Sequence, residues 1–131
     1  MDTEAQTPSA LLWAGRIISG SVVLFLAFDA VMKMIRAAPV VEATENLGIP
    51  AGAILGIGIV LLVCDAIYAV PQTAILGAIL LTGYLGGATA IHVRAGSGVF
   101  PIAFSVAFGV LAWVGLVLRE PRLLRTILRR Q

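Results

Sequence analysis

Residues 51–92 read AGAILGIGIVLLVCDAIYAVPQTAILGAILLTGYLGGATAIH, and this stretch decides the fold. Two apolar runs, each about long enough to cross a bilayer, flank a break at Pro71-Gln72-Thr73. In lipid a chain can satisfy its backbone polar groups only within helices or a closed barrel, so the reading is two antiparallel transmembrane helices joined by a tight turn. Pro71 interrupts the helical pattern, and Thr73 is placed to cap the helix that follows. These spans are predicted at residues 51–70 and 74–92.

Working outward, the pattern repeats on both sides. A first helix is expected from near Pro8 and Ser9, spanning about residues 10–36. Arg16 bounds its uncharged centre on one side, and Asp29, Lys33 and Arg36 bound it on the other. A polar connector from Pro39 to Pro50 carries Glu42, Glu45, Asn46 and Gly48, with a short surface helix expected at residues 41–47. After a glycine-rich loop at 94–99, a fourth span covers about residues 100–118. Beyond Pro121 the tail, residues 119–131, resumes as a basic helix, with Leu123, Leu124, Ile127 and Leu128 opposing Arg122, Arg125 and Arg129. The expected fold is therefore all-α: a single membrane domain over residues 1–131, built as a four-transmembrane-helix bundle with a short C-terminal amphipathic helix.

Composition narrows the function. Hydrophobic residues make up 60% of the chain and charged residues 12%, with a mean hydropathy of +1.02. That leaves no room for a soluble catalytic domain, so chemistry would rest on the few polar groups in the helices, on a bound cofactor or on a partner. Net charge is only +2, and Arg119, Arg122, Arg125, Arg129 and Arg130 gather at the C-terminal end. Without a basic soluble module carrying stacking aromatics, this is a membrane-surface tail and no nucleic-acid site. Cys64 is the single cysteine, which excludes dithiol chemistry within one chain and reads as a small buried hydrophobe. No spacing suggests a metal site, and the single His92 cannot supply two haem ligands. The acidic start, with Asp2 and Glu4, favours a retained first span over a cleaved signal.

The arginine-rich tail predicts that both termini face the cytoplasm of an inner-membrane protein, with the Pro71 turn inside and the loops around Glu42 and Gly96 outside. Trp13, Trp113 and Tyr68 then fall near the inner interface as an aromatic belt. Lys33, Arg36 and Arg94 run against the charge rule unless paired or held in a pocket. Small residues at Gly15/Ser19, Gly52/Gly56 and Gly83/Gly87 are expected to let helices approach closely within the bundle.

The polar groups gather at two depths. The outer level holds Asp29 and Lys33, spaced i, i+4 on one face, with His92 and Arg94 arriving at the same depth from the third span. Tyr84 and His92 share a face about 12 Å apart along the helix. Asp29, Lys33, Tyr84, His92 and Arg94 are therefore the candidate ligand-binding residues, around a polar-headed lipophilic molecule such as a quinone. His92 or Asp29 would handle protons. At the inner level, Arg16 and Asp65 are expected to form an intramembrane ion pair, because either alone would be costly.

YAVPQTA at 68–74, LGAILLTGYLGGA at 76–88 and HVR at 92–94, together with FDAVMK at 28–33 and REPR at 119–122, resemble the DoxX-like family of small bacterial membrane proteins over roughly residues 15–125. The resemblance implies a four-helix membrane bundle. It also implies an association with membrane redox biology, since a subunit of a thiosulfate:quinone oxidoreductase gives the family its name and other members accompany oxidative-stress enzymes. Two positions depart from the family pattern: Leu61 stands where a Glu is common, and Gln72 replaces the usual Arg of the turn. Asp65, one turn beyond Leu61, is a candidate substitute. The expected function is that of a redox-associated subunit binding a lipophilic molecule, with the lipid bilayer and a membrane partner protein or second copy as partners. The alternatives are a non-enzymatic assembly or chaperone-like subunit, and a small transporter acting as an oligomer.

Overall fold

A computed structural model describes residues 9–129; Asp2, Glu4, Pro8 and Arg130, and the side chain of Leu124, lie outside the described residues. Six helices follow in order: α1 (Ser9–Met34), α2 (Ala38–Asn46), α3 (Ile54–Ala69), α4 (Ala74–Ala95), α5 (Val99–Arg119) and α6 (Pro121–Arg129). Short 3-10 turns at Ala51–Ala53 and Pro71–Thr73 lead into α3 and α4. Four segments are long and apolar enough to span a membrane: Ser9–Met34, Ala51–Ala69, Pro71–Ala95 and Val99–Arg119. At 1.5 Å per residue α1 alone is about 39 Å long.

The connector helix expected at 41–47 forms as Ala38–Asn46, and two span limits move, both for backbone reasons. α1 ends at Met34 because Arg36 turns left-handed at φ 53°, and the amides of Arg36 and Ala37 bond back to the carbonyls of Lys33 and Met32. α4 runs past His92 to Ala95 and closes in the same way, with Gly96 at φ 65° and the Ser97 amide on the His92 carbonyl. Both are Schellman endings, in which a left-handed residue lets two amides satisfy the last carbonyls. Thr73 does not cap α4. Its hydroxyl instead donates backward to the carbonyl of Ile67 at 2.7 Å, fastening the Pro71 turn to the helix before it.

The four long helices form a ring in which α1 packs against α3 and α5, and α4 packs against the same two from the opposite corner. On α1 the buried stripe is Gly15, Ser19, Val22, Leu26 and Ala30, at spacings of three and four. It meets Leu61 and Tyr68 of α3, Leu81 of α4 and Leu116 of α5 in one continuous core. In lipid, close backbone contact rather than water exclusion holds such helices together, and glycines create it. A Cβ on Gly77 would run into the backbone of Tyr68, and one on Gly115 would meet the Ser19 hydroxyl. A Cβ on Gly15 would lie 2.8 Å from that of Leu118. Of the three small-residue pairs expected to pack the bundle, only Gly15/Ser19 does so. Gly52, Gly56, Gly83 and Gly87 face open space, with Gly86 beside them.

Aromatic placement also differs from the sequence expectation. Tyr68 is fully buried rather than part of an interfacial belt, whereas Trp13 is exposed. Trp113 donates its indole N–H to the Thr82 hydroxyl at 2.7 Å across the α4–α5 seam. α6 carries Leu123 against the core and leaves Ile127 and Leu128 exposed.

Candidate functional site

Two polar clusters interrupt the apolar bundle, one toward the α2 connector and one toward the Pro71 turn and the tail. At the connector end, α1 presents Asp29 and Lys33 one turn apart, and the ammonium bonds the carboxylate at 2.5 Å. The Lys33 side chain is only 16% exposed, which marks a pair held against the bundle rather than trailing in solvent. Gly58 of α3 makes this possible: a Cβ there would sit 3.0 Å from the Lys33 Cβ and from the Ala30 carbonyl oxygen.

Tyr84 approaches from α4, at the opposite corner from α1. It packs on the core, and no hydrogen bond among the described residues joins it to Asp29 or Lys33. The connector end thus holds one ion pair on α1, with the Tyr84 phenol carried by the diagonally placed α4. Such groups within a spanning bundle are costly unless they are paired, as Asp29 and Lys33 are.

His92 and Arg94, also expected here, are placed otherwise. The His92 Nδ1 lies 3.1 Å from the Ser97 hydroxyl, so the imidazole is engaged by its own loop, and Arg94 is exposed. No hydrogen bond or ion pair among the described residues joins either to Asp29, Lys33 or Tyr84.

The tail-end cluster departs further from expectation. Arg16 and Asp65 do not pair: Arg16 is exposed, with its guanidinium 5.1 Å from the Trp13 ring centroid. Asp65 is 2% exposed, and its Oδ1 has no hydrogen-bond partner among the described residues. The reason is rotational. Arg16 follows Gly15 by one residue, about 100° around the helix from the buried stripe.

The cation that turns inward is Arg119, whose guanidinium carbon lies 5.7 Å from the Tyr68 ring centroid. Tyr68 in turn donates its hydroxyl to the Ala112 carbonyl at 2.6 Å and lies 3.0 Å from the Ser19 hydroxyl. Ser19, Tyr68, Ala112 and Arg119 form a polar centre that residue-type reasoning missed. Its available signal was Gly15/Ser19 facing Gly115, small residues that open room for a tyrosine.

Apolar space lies along the α4–α5 seam, where a groove of about 500 Å³ is lined by Leu85, Gly86, Val106, Gly109, Val110 and Trp113, among others. Its Thr82 and Thr89 hydroxyls donate to the carbonyls of Ala78 and Leu85, so the groove wall offers little unsatisfied polarity. On the α1–α5 seam, Phe25, Phe104 and Phe108 stack with centroids 4.6 to 5.4 Å apart, and Phe100 extends the row.

Residues 17–115 match the DoxX-like family, three-quarters of the chain, and the protein belongs to that family. No curated protein and no solved structure gives a significant match.

Proposed function

We propose that this DoxX-like membrane protein binds a lipophilic small molecule with a polar head, a quinone being the first candidate, as a redox-associated subunit. The observation that carries the reading is the Asp29–Lys33 pair, held half-buried against a spanning bundle, with the Tyr84 phenol on the diagonally placed α4. A carbonyl head could accept from Lys33 or Tyr84, and a hydroxyl head could in addition donate to Asp29. The α4–α5 groove offers apolar volume for a tail. His92 and Arg94 belong to this proposal as residues at the mouth of the site.

The test is mass spectrometry of what co-purifies in mild detergent with the wild type and with Asp29→Asn/Tyr84→Phe. A quinone or similar amphiphile retained by the wild type and lost from the variant supports the reading. Bulk phospholipid alone in both samples sinks it.

A second reading, an assembly subunit for another membrane protein, is favoured by the open glycines Gly83, Gly86 and Gly87, which leave a helix face without a packing partner. A stoichiometric protein partner lost on Gly83→Leu would support it. In either reading we place both termini in the cytoplasm, because the tail arginines outnumber the cations at the connector end. Lys33 there is neutralised by Asp29, leaving Arg36 and Arg94 as the opposing charges. A cysteine introduced at Ser97 should react with an impermeant reagent from outside the cell, and one at Gln72 should not.

A further inference from the structure

The tail end of the bundle contains an arginine arranged unlike the others. Arg119 is the last residue of α5 and could extend freely into the headgroup layer, as a terminal arginine normally does. Instead its side chain folds back across α1. A Cβ on Gly15 would lie 3.0 Å from the Arg119 Cγ, so only a glycine leaves room for that path. The guanidinium then comes to rest over the Tyr68 ring, itself fixed by its bonds to Ser19 and Ala112. Glycine, tyrosine and the two tyrosine partners together hold this cation in place.

What the arrangement leaves open is specific. Arg119 Nε and Nη2 are both buried, and neither has a hydrogen-bond partner among the described residues. These two nitrogens form one edge of the guanidinium, the edge that presents two parallel N–H groups to two oxygens of one oxyanion. Leaving charged donors buried and unmet is costly, and the Tyr68 face does not satisfy N–H groups lying in the guanidinium plane. The local charge is complementary to an anion. Arg16, Arg122 and Arg129 belong to the same end, and the described acids there are Glu120, which is exposed, and Asp65, which forms no salt bridge among the described residues.

We propose that Arg119 is the principal ligand of a binding site for a phosphate-type oxyanion at the tail end of the bundle. The phosphodiester of an anionic lipid in the adjoining leaflet is the source that the position favours. Arg119 supplies the two-donor edge, Tyr68 supports the cation from behind, and Gly15 sets the route of the side chain. α6 is joined to α5 through the single non-helical residue Glu120, which keeps the site at the edge of the bundle.

The experiment uses the full chain, labelled with 15N-arginine, in a maltoside detergent that carries no phosphate. Phosphatidylglycerol, phosphatidylcholine and inorganic phosphate are added separately while the Arg119 Nε–H resonance is followed. A downfield shift with phosphatidylglycerol at concentrations where inorganic phosphate does nothing supports the site with a lipid source. The same shift with inorganic phosphate alone supports it with a solute source. No shift with any of them overturns the proposal.

In parallel, native mass spectrometry compares phosphatidylglycerol retention by wild type, Arg119→Lys and Arg119→Gln. Lysine keeps the charge but loses the edge, and about tenfold weaker retention is expected for both variants. Equal retention by all three would overturn the assignment and place the lipid on the exposed tail arginines. The resonance measurement on the wild type stands even where a variant fails to fold.

Discussion

The Tyr68 hydroxyl donates to the Ala112 carbonyl at 2.6 Å, joining two helices, α3 and α5, that occupy opposite corners of the ring. With Ser19 of α1 lying 3.0 Å from the same oxygen, one phenol ties three of the four spans. Hydrogen bonds between membrane helices are individually modest because the separated helices find other partners. Tyr68→Phe should therefore cost about 0.5–1.5 kcal/mol, seen as a lower melting temperature in detergent. Ser19→Ala should cost less, since it leaves the Ala112 bond intact. A Ser19→Ala loss larger than that of Tyr68→Phe would contradict this ranking.

Close approach at Gly77 predicts a much larger effect than any polar contact. Gly77→Ala places a methyl against the Tyr68 backbone, which cannot yield as a flexible side chain could. A loss of about 2 kcal/mol or more is expected, visible as poor expression or early melting. Gly83→Ala, where nothing lies within 4 Å, should stay within about 0.5 kcal/mol of wild type. Similar behaviour of the two variants would mean that the α3–α4 crossing is looser than described.

Arg16 and Asp65 should behave as independent residues. Arg16→Leu removes an exposed cation over Trp13, a contact worth about 0.5–1 kcal/mol. Asp65→Asn replaces a buried carboxyl that has no paired cation among the described residues, and should be neutral or stabilising. The double-mutant cycle should give a coupling within about 0.5 kcal/mol of zero. A coupling above about 1 kcal/mol would restore the ion pair that the sequence suggested.

At the connector end, Asp29→Asn and His92→Ala separate two roles. The first breaks the Lys33 pair and, in the proposed function, abolishes retention of the amphiphile. The second loses a bond confined to the Ser97 loop and should reduce retention only weakly. Loss of retention in His92→Ala alone, with Asp29→Asn unaffected, would move the site to the mouth of the α4–α5 loop.

The four spans were legible because long uncharged runs admit few alternatives in a bilayer, and their limits shifted only where left-handed residues, Arg36 and Gly96, closed the helices. Asp29 and Lys33 were legible as a pair because i, i+4 spacing fixes proximity on one helix. Pairings between helices were not, because they depend on how each helix is rotated about its axis. The stripe from Gly15 to Ala30 contains the information that Arg16 points away from the core. Counting turns from the helix ends put Arg16 at the depth of Asp65 and left Arg119 to the tail, and so the sequence selected Arg16 over Arg119. Glycines mislead for a related reason: Gly77 and Gly83 are equivalent by composition, yet one meets a backbone and the other meets nothing.

The filled centre of the ring limits what one copy can do. Val22, Leu61, Leu81 and Leu116 are all but inaccessible and close the middle from four sides, while Gly15 and Gly77 lock neighbouring backbones against each other. Mechanically this is a solid post rather than a tube. Opening a lumen would require separating the contacts that hold the post upright. Traffic across the membrane would then follow its outer flanks, along the α4–α5 groove or the phenylalanine row, with the acyl chains as the opposite wall. A water-soluble cargo would require a passage formed between copies.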